Sequence, residues 1–164
     1  MTPPAVKTGL EMLATKKPHE LNGKRLGLLA NPASVDSKFT HASGIIENLF
    51  PGQLKALFSP QHGFYADKQD NMIESDHGVD PQLNIPVFSL YSNTRIPTRD
   101  MMDLIDVLII DLQDVGTRVY TFMYTMSYCL EAAAKQGKKI DIEKSRHYHT
   151  RKSLDGSKRF LFLS

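Results

Sequence analysis

The sequence predicts an α/β domain with a doubly wound, mostly parallel sheet, and three observations predict it. Two apolar runs, residues 24–31 and 105–111, are nearly continuous rather than alternating, as suits strands covered on both faces. Segments of strand length alternate with segments of helical periodicity, the order that gives parallel strands joined by right-handed crossovers. Polar clusters follow directly after the expected strands, at Asn31, residues 59–67, Tyr91 and residues 111–118. In an open parallel sheet that carboxyl edge is where ligands bind.

The elements follow in order. Thr8 and Glu11 have the spacing of a capping box, in which each satisfies a free backbone N–H of the other, so a short helix begins there. Residues 24–31 form the first strand, closed by Asn31-Pro32. Over 41–50, Ile45, Ile46, Leu49 and Phe50 share one helical stripe, and Pro51-Gly52 ends it. Residues 54–59 are the second strand and 86–91 the third; Thr98 can cap a short helix before the central strand at 105–111. From Thr121, the residues Phe122, Met126, Cys129, Leu130 and Ala133 recur at helical spacing up to Gly137, the expected C-cap. That spacing makes Cys129 a core residue. Residues 138–142 begin another strand.

Composition excludes more than it selects. The 164 residues are 41% hydrophobic and 23% charged, ordinary for one globular domain. Twenty basic and 18 acidic residues leave a net charge of +2, which predicts neither nucleic acid nor a membrane surface as partner. The single cysteine cannot form an internal disulfide. Neither a signal-peptide-like apolar stretch nor a run of about 18 apolar residues occurs, so the expected location is the cytoplasm. The phosphate-cradling G-x-G-x-x-G and G-x-x-x-x-G-K-[ST] loops are lacking, and no serine lies in a G-x-S-x-G elbow. These gaps argue against a dehydrogenase, an ATPase or an α/β-hydrolase triad, and no cofactor is expected.

Two segments are unusual: Phe58-Ser-Pro-Gln-His-Gly-Phe64 and Asp111-Leu-Gln-Asp-Val-Gly-Thr-Arg-Val-Tyr-Thr121. With residues 27–36, 87–91 and 124–134, they resemble the exo-acting β-N-acetylmuramidase family of the NamZ type, formerly a bacterial domain of unknown function. The resemblance covers residues 7 to about 140. It implies a Rossmann-like catalytic domain followed by a smaller C-terminal domain, no nucleotide cofactor, and a muramyl-sugar or muropeptide ligand released during cell-wall recycling.

Glycoside hydrolysis generally needs a protonated acid at the leaving oxygen and a second carboxylate or its equivalent near the anomeric carbon. Many members of the family that this chain resembles carry Glu where it has Gln61, and an amide cannot exchange the catalytic proton. Either another acid serves, or activity is weakened or lost. Asp67, Asp70, Glu74 and Asp76 are substitutes in the loop after the second strand, against a reading as solvated turn formers. Asp111 and Asp114 end the most buried strand, where a lone carboxylate is costly, and Arg118 is a natural partner for either a site or a structural pair.

The catalytic candidates are therefore Gln61, His62, Asp111 and Asp114, with His62 able to orient a carboxylate, bind a sugar hydroxyl, or simply fix its turn. Substrate-binding candidates are Asn31, Ser59, Gly63, Asp67, Tyr91, Gln113, Arg118 and Tyr120. Tyr91, Tyr120 and Tyr124 offer a sugar-stacking wall, although the helical spacing of Tyr124 favours the core. His62, Asp67, Asp70, Asp76 and His77 match no recognised metal-ligand spacing, so no metal is expected. The competing class is a domain that binds a muramyl sugar or peptide through Asn31, His62 and Arg118 without cleaving it.

The resemblance ends near residue 140. Six Lys or Arg residues against Asp155 alone populate 144–159 with little apolar periodicity, as in a basic arm or a frameshift-derived tail. The expected organisation is an incomplete Rossmann-like domain over 1–142, lacking its last strands, followed by an atypical tail over 143–164.

Overall fold

The computed structural model describes residues 7–61, 63–64, 78–91, 94–113, 121–140 and 162–163. Helix α1 (Gly9–Lys16) opens on the expected capping box: the Thr8 N–H donates to Glu11 Oε2 at 2.9 Å and the Glu11 N–H to Thr8 Oγ1 at 3.2 Å. A 3-10 turn (His19–Leu21) leads into β1 (Leu26–Ala30), buried along its whole length. Helix α2 (Ala42–Leu49) is capped by a histidine, His41 Nδ1 accepting the Ser43 N–H at 3.3 Å. Then come β2 (Leu54–Ser59), β3 (Gly78–Val79), β4 (Pro86–Ser89), α3 (Arg99–Asp103) and β5 (Val107–Asp111). Helix α4 (Phe122–Lys135), β6 (Lys139–Ile140) and β7 (Phe162–Leu163) complete the described elements.

The sheet runs β3-β4-β2-β1-β5-β6, with β7 also paired to β5. Every described pairing is parallel except β3 with β4. Strand β6 pairs with Val107 and Leu108 and β7 with Ile110 and Asp111, so both lie along the edge of β5 away from β1. The two-residue β3 was not expected, and β4 stops two residues short of Tyr91. Gln136 caps α4, and Gly137 takes the left-handed position just beyond, with φ +63°.

Helices cover both faces. On one, Leu10 and Leu13 of α1 and Ile46 and Phe50 of the α2 region pack against Leu26, Leu28, Leu57, Val107 and Ile109. On the other, Met101, Met102, Cys129 and Ala133 pack against Leu29, Ala56, Phe58, Leu108 and Ile110. Cys129 is fully buried, as its spacing predicted, and burial pushes its thiol far above the usual range. Gly27 permits a close approach here: a Cβ at that position would lie 2.8 Å from Ile105 Cδ1 and 3.1 Å from Phe58 Cε2. This is the doubly wound architecture, and its order reverses between β1 and β5, the place where such sheets open a crevice.

Candidate functional site

At the carboxyl edge the crevice between β1 and β5 is bridged by side chains. Asn31, the first residue after β1, donates from Nδ2 to the Gln113 carbonyl at 2.9 Å and accepts the Gln113 N–H at Oδ1 at 3.4 Å. Ser34 Oγ receives the Asn31 N–H at 3.1 Å and directs its own proton toward Asn31 Oδ1 and the Asp111 carbonyl. His41 Nε2 donates to the Asn31 carbonyl at 3.1 Å, consistent with its Nδ1 acting as the cap acceptor. Burial lowers the His41 pKa, favouring this neutral form. Asn31 is thus buried and engaged as a clamp between two strand ends.

Asp111 closes β5 with 1% exposure, and neither carboxyl oxygen finds a hydrogen-bond donor among the described residues. Burial raises its pKa to about 7; Gln113 lies near enough to offset part of that without reaching hydrogen-bond geometry. Strand alternation puts Asp111 on the face of Val107 and Ile109, under α1 and α2. Ser59 is buried at the end of β2, and Gly63 takes a left-handed φ of +80° in the loop that follows.

On the opposite face the edge carries a cavity of about 280 Å³, lined by Leu90, Tyr91, Arg95, Thr121, Tyr124, Thr125 and Tyr128. The segment after β4 supplies one wall and the first turns of α4 the other. Thr121, Tyr124, Thr125 and Tyr128 follow i, i+3, i+4, i+7 spacing, a polar-aromatic stripe beside the buried stripe of Phe122, Cys129 and Ala133. Thr121 stands at the N-cap position but makes no side-chain cap. Its hydroxyl donates to Gln61 Oε1 at 3.0 Å, tying the loop after β2 to the cavity wall.

Of the sequence candidates, Asn31, Ser59, Gln61, Gly63, Tyr91, Asp111 and Gln113 all stand at this carboxyl edge; of these Tyr91 lines the cavity, while Gln61 is bonded to its wall through the Thr121 hydroxyl and Ser59 through its carbonyl, which accepts the Leu90 N–H at 2.9 Å. His62, Asp67, Asp114, Arg118 and Tyr120 lie outside the described residues, as do Asp70, Glu74, Asp76, His77 and most of the basic segment. Tyr124 corrects the core expectation: it is 66% exposed and faces the cavity. Arg95, Thr121, Thr125 and Tyr128 were not singled out from sequence, although the second stripe on α4 was there to be read. Among the described residues no three His, Cys, Asp or Glu side chains are grouped to hold a metal ion, and no helix is long and apolar enough to cross a membrane.

Comparison with known proteins supplies a family. A profile described as "Exo-beta-N-acetylmuramidase NamZ, N-terminal" matches residues 26–156. The peptidoglycan β-N-acetylmuramidase NamZ of Bacillus subtilis is 41% identical over 134 residues, 82% of this chain and 32% of that protein. A crystal structure of a DUF1343 family protein from Bacteroides fragilis superposes with a TM-score of 0.72 at 38% identity, covering 82% of this chain and 33% of the other. A second from the same organism gives 0.65 at 31%, with 83% and 33% covered. The chain therefore spans about a third of the length of each.

Proposed function

Because the chain belongs to the NamZ exo-β-N-acetylmuramidase family, matched through its N-terminal domain, we propose that its carboxyl-edge cavity receives the terminal muramyl residue of a peptidoglycan fragment. We propose further that hydrolysis there is weakened by Gln61. The observation that carries this is the Thr121–Gln61 hydrogen bond. It ties Gln61, the position at which the family resemblance implies a carboxylate, to the wall of a tyrosine-rich cavity.

The chemistry follows from what each group can do. Tyrosine rings present apolar faces to a pyranose while their hydroxyls meet its polar rim. The hydroxyls of Thr121 and Thr125, whose protons go to Gln61 Oε1 and the Thr121 carbonyl, add acceptor lone pairs along the helical wall. Cleavage of the glycosidic C–O bond requires a proton delivered to the leaving oxygen and water added at the anomeric carbon. The Gln61 amide has no proton of carboxylic acidity to deliver. Burial keeps Asp111 protonated, the form an acid catalyst needs, up to its pKa of about 7, but its carboxyl is buried on the opposite face from the cavity.

A chromogenic β-N-acetylmuramide tests the proposal, assayed with this chain and with the chain joined to the C-terminal part of the Bacillus relative. Gln61→Glu is expected to raise turnover at least roughly a hundredfold, the scale of one positioned proton-transfer group. An unchanged rate in both contexts, with the sugar still bound, would instead support a non-catalytic binding domain. Gln61 favours that second reading as well.

A further inference from the structure

Among the described residues that line the cavity one is charged, Arg95. Its guanidinium carbon stands 5.5 Å from the centroid of the Tyr91 ring, a cation–π distance. The other described arginines are matched: Arg25 binds Asp106 at 2.7 Å, and Arg99 approaches Asp103 at 3.7 Å. Arg95 has no acidic partner among the described residues, and the remaining lining residues are neutral. Stacking on Tyr91 restricts one face of the guanidinium while its N–H edges remain available.

We infer that Arg95 is the specificity-determining residue of this cavity, pairing with the carboxylate of an acidic amino sugar while the tyrosines hold its ring. Three features carry the inference. A planar guanidinium offers parallel N–H donors that match a carboxylate in a two-point pair. Walls of three tyrosines, two threonines and a leucine suit a single pyranose, and among the described lining residues none is an anion that would compete. The volume of about 280 Å³ has room for one substituted sugar ring rather than an extended oligosaccharide. The identity of the sugar rests on the proposed muramyl function, since N-acetylmuramic acid differs from N-acetylglucosamine by an ether-linked lactyl group ending in a carboxylate. A neutral hexosamine would leave Arg95 without its partner.

The test is a calorimetric titration of the full chain with N-acetylmuramic acid, its methyl ester and N-acetylglucosamine. The wild-type chain is expected to prefer the free acid over both neutral sugars by roughly tenfold or more, as for one charge-assisted pair, and to lose part of that preference in high salt. Arg95→Ala should abolish the preference while retaining the weaker neutral-sugar binding. Arg95→Lys should restore part of it, keeping the charge without the planar fork. Arg95 is exposed, so these variants should melt like the parent chain. An acid preference unchanged in Arg95→Ala would overturn the inference and leave the muramyl site standing. Failure of all three sugars to bind the wild-type chain would overturn both.

Discussion

Asp106 and Asp111 bracket β5, one just before its first residue and one at its last, and their surroundings drive their carboxyls in opposite directions. Asp106 accepts hydrogen bonds from the Arg25 side chain and backbone, which hold its pKa down at about 2. Asp111 is buried without a hydrogen-bond donor among the described residues, and burial lifts it to about 7.

The pH dependence follows by linkage. Asp106 has a folded pKa below its unfolded value near 3.8, so its contribution is present above about pH 4 and is lost as pH falls toward 2. Asp111 has a folded pKa above its unfolded value, so its contribution is fully present below about pH 4 and is lost as pH rises to 7. Asp111→Asn should therefore flatten the fall in Tm between pH 4 and 7 and stabilise the chain at pH 8 by about 1–3 kcal/mol, under a ceiling on the order of 4 kcal/mol. Melting curves at five pH values in that range check it. Parallel curves for the two proteins would show that Asp111 is ionised in the folded state.

Gly27→Ala places a methyl group against Ile105 and Phe58, both fully buried. The expected cost is about 1–2 kcal/mol in urea unfolding, since a packed core cannot move aside freely. Ile105→Val removes the nearest atom, Cδ1. The double variant should consequently lose less than the sum of the two single changes.

Ser34→Ala strips a buried hydroxyl that serves the Asn31 N–H, Asn31 Oδ1 and the Asp111 carbonyl. Unsatisfied buried groups should cost about 1–3 kcal/mol. Hydrogen exchange at the Gln113 amide, which Asn31 Oδ1 accepts, should quicken more than exchange at the amides of β2. Uniform acceleration would mean that Asn31 and Ser34 stabilise the whole fold rather than the β1–β5 crevice.

The sheet was legible because its strands are continuous apolar runs between turn formers: the span 54–59 read from sequence is the span of β2. The capping box was equally local, requiring only Thr8 and Glu11 three residues apart. Strand β3 was not legible, because two residues carry no periodicity and its pairing with β4 is tertiary. Asn31 and Gln113 meet across 82 positions, so no local pattern could show that Asn31 is a clamp. Tyr124 misled because an aromatic at helical spacing usually packs inward, whereas α4 carries two stripes and Tyr124, itself exposed, belongs to the one that lines the cavity.

The most direct test of the carboxyl-edge cavity as the sugar site is a titration of isotope-labelled chain with N-acetylmuramic acid, followed by amide and methyl chemical shifts. Saturable shifts should concentrate at Leu90, Thr121 and Thr125, which line the cavity, and at Gln61 bonded to its wall. The amino edge near Arg25 and Asp106 should stay unmoved. Saturable shifts confined to residues away from Leu90, Thr121 and Thr125, or no saturable shifts at all, would contradict the assignment.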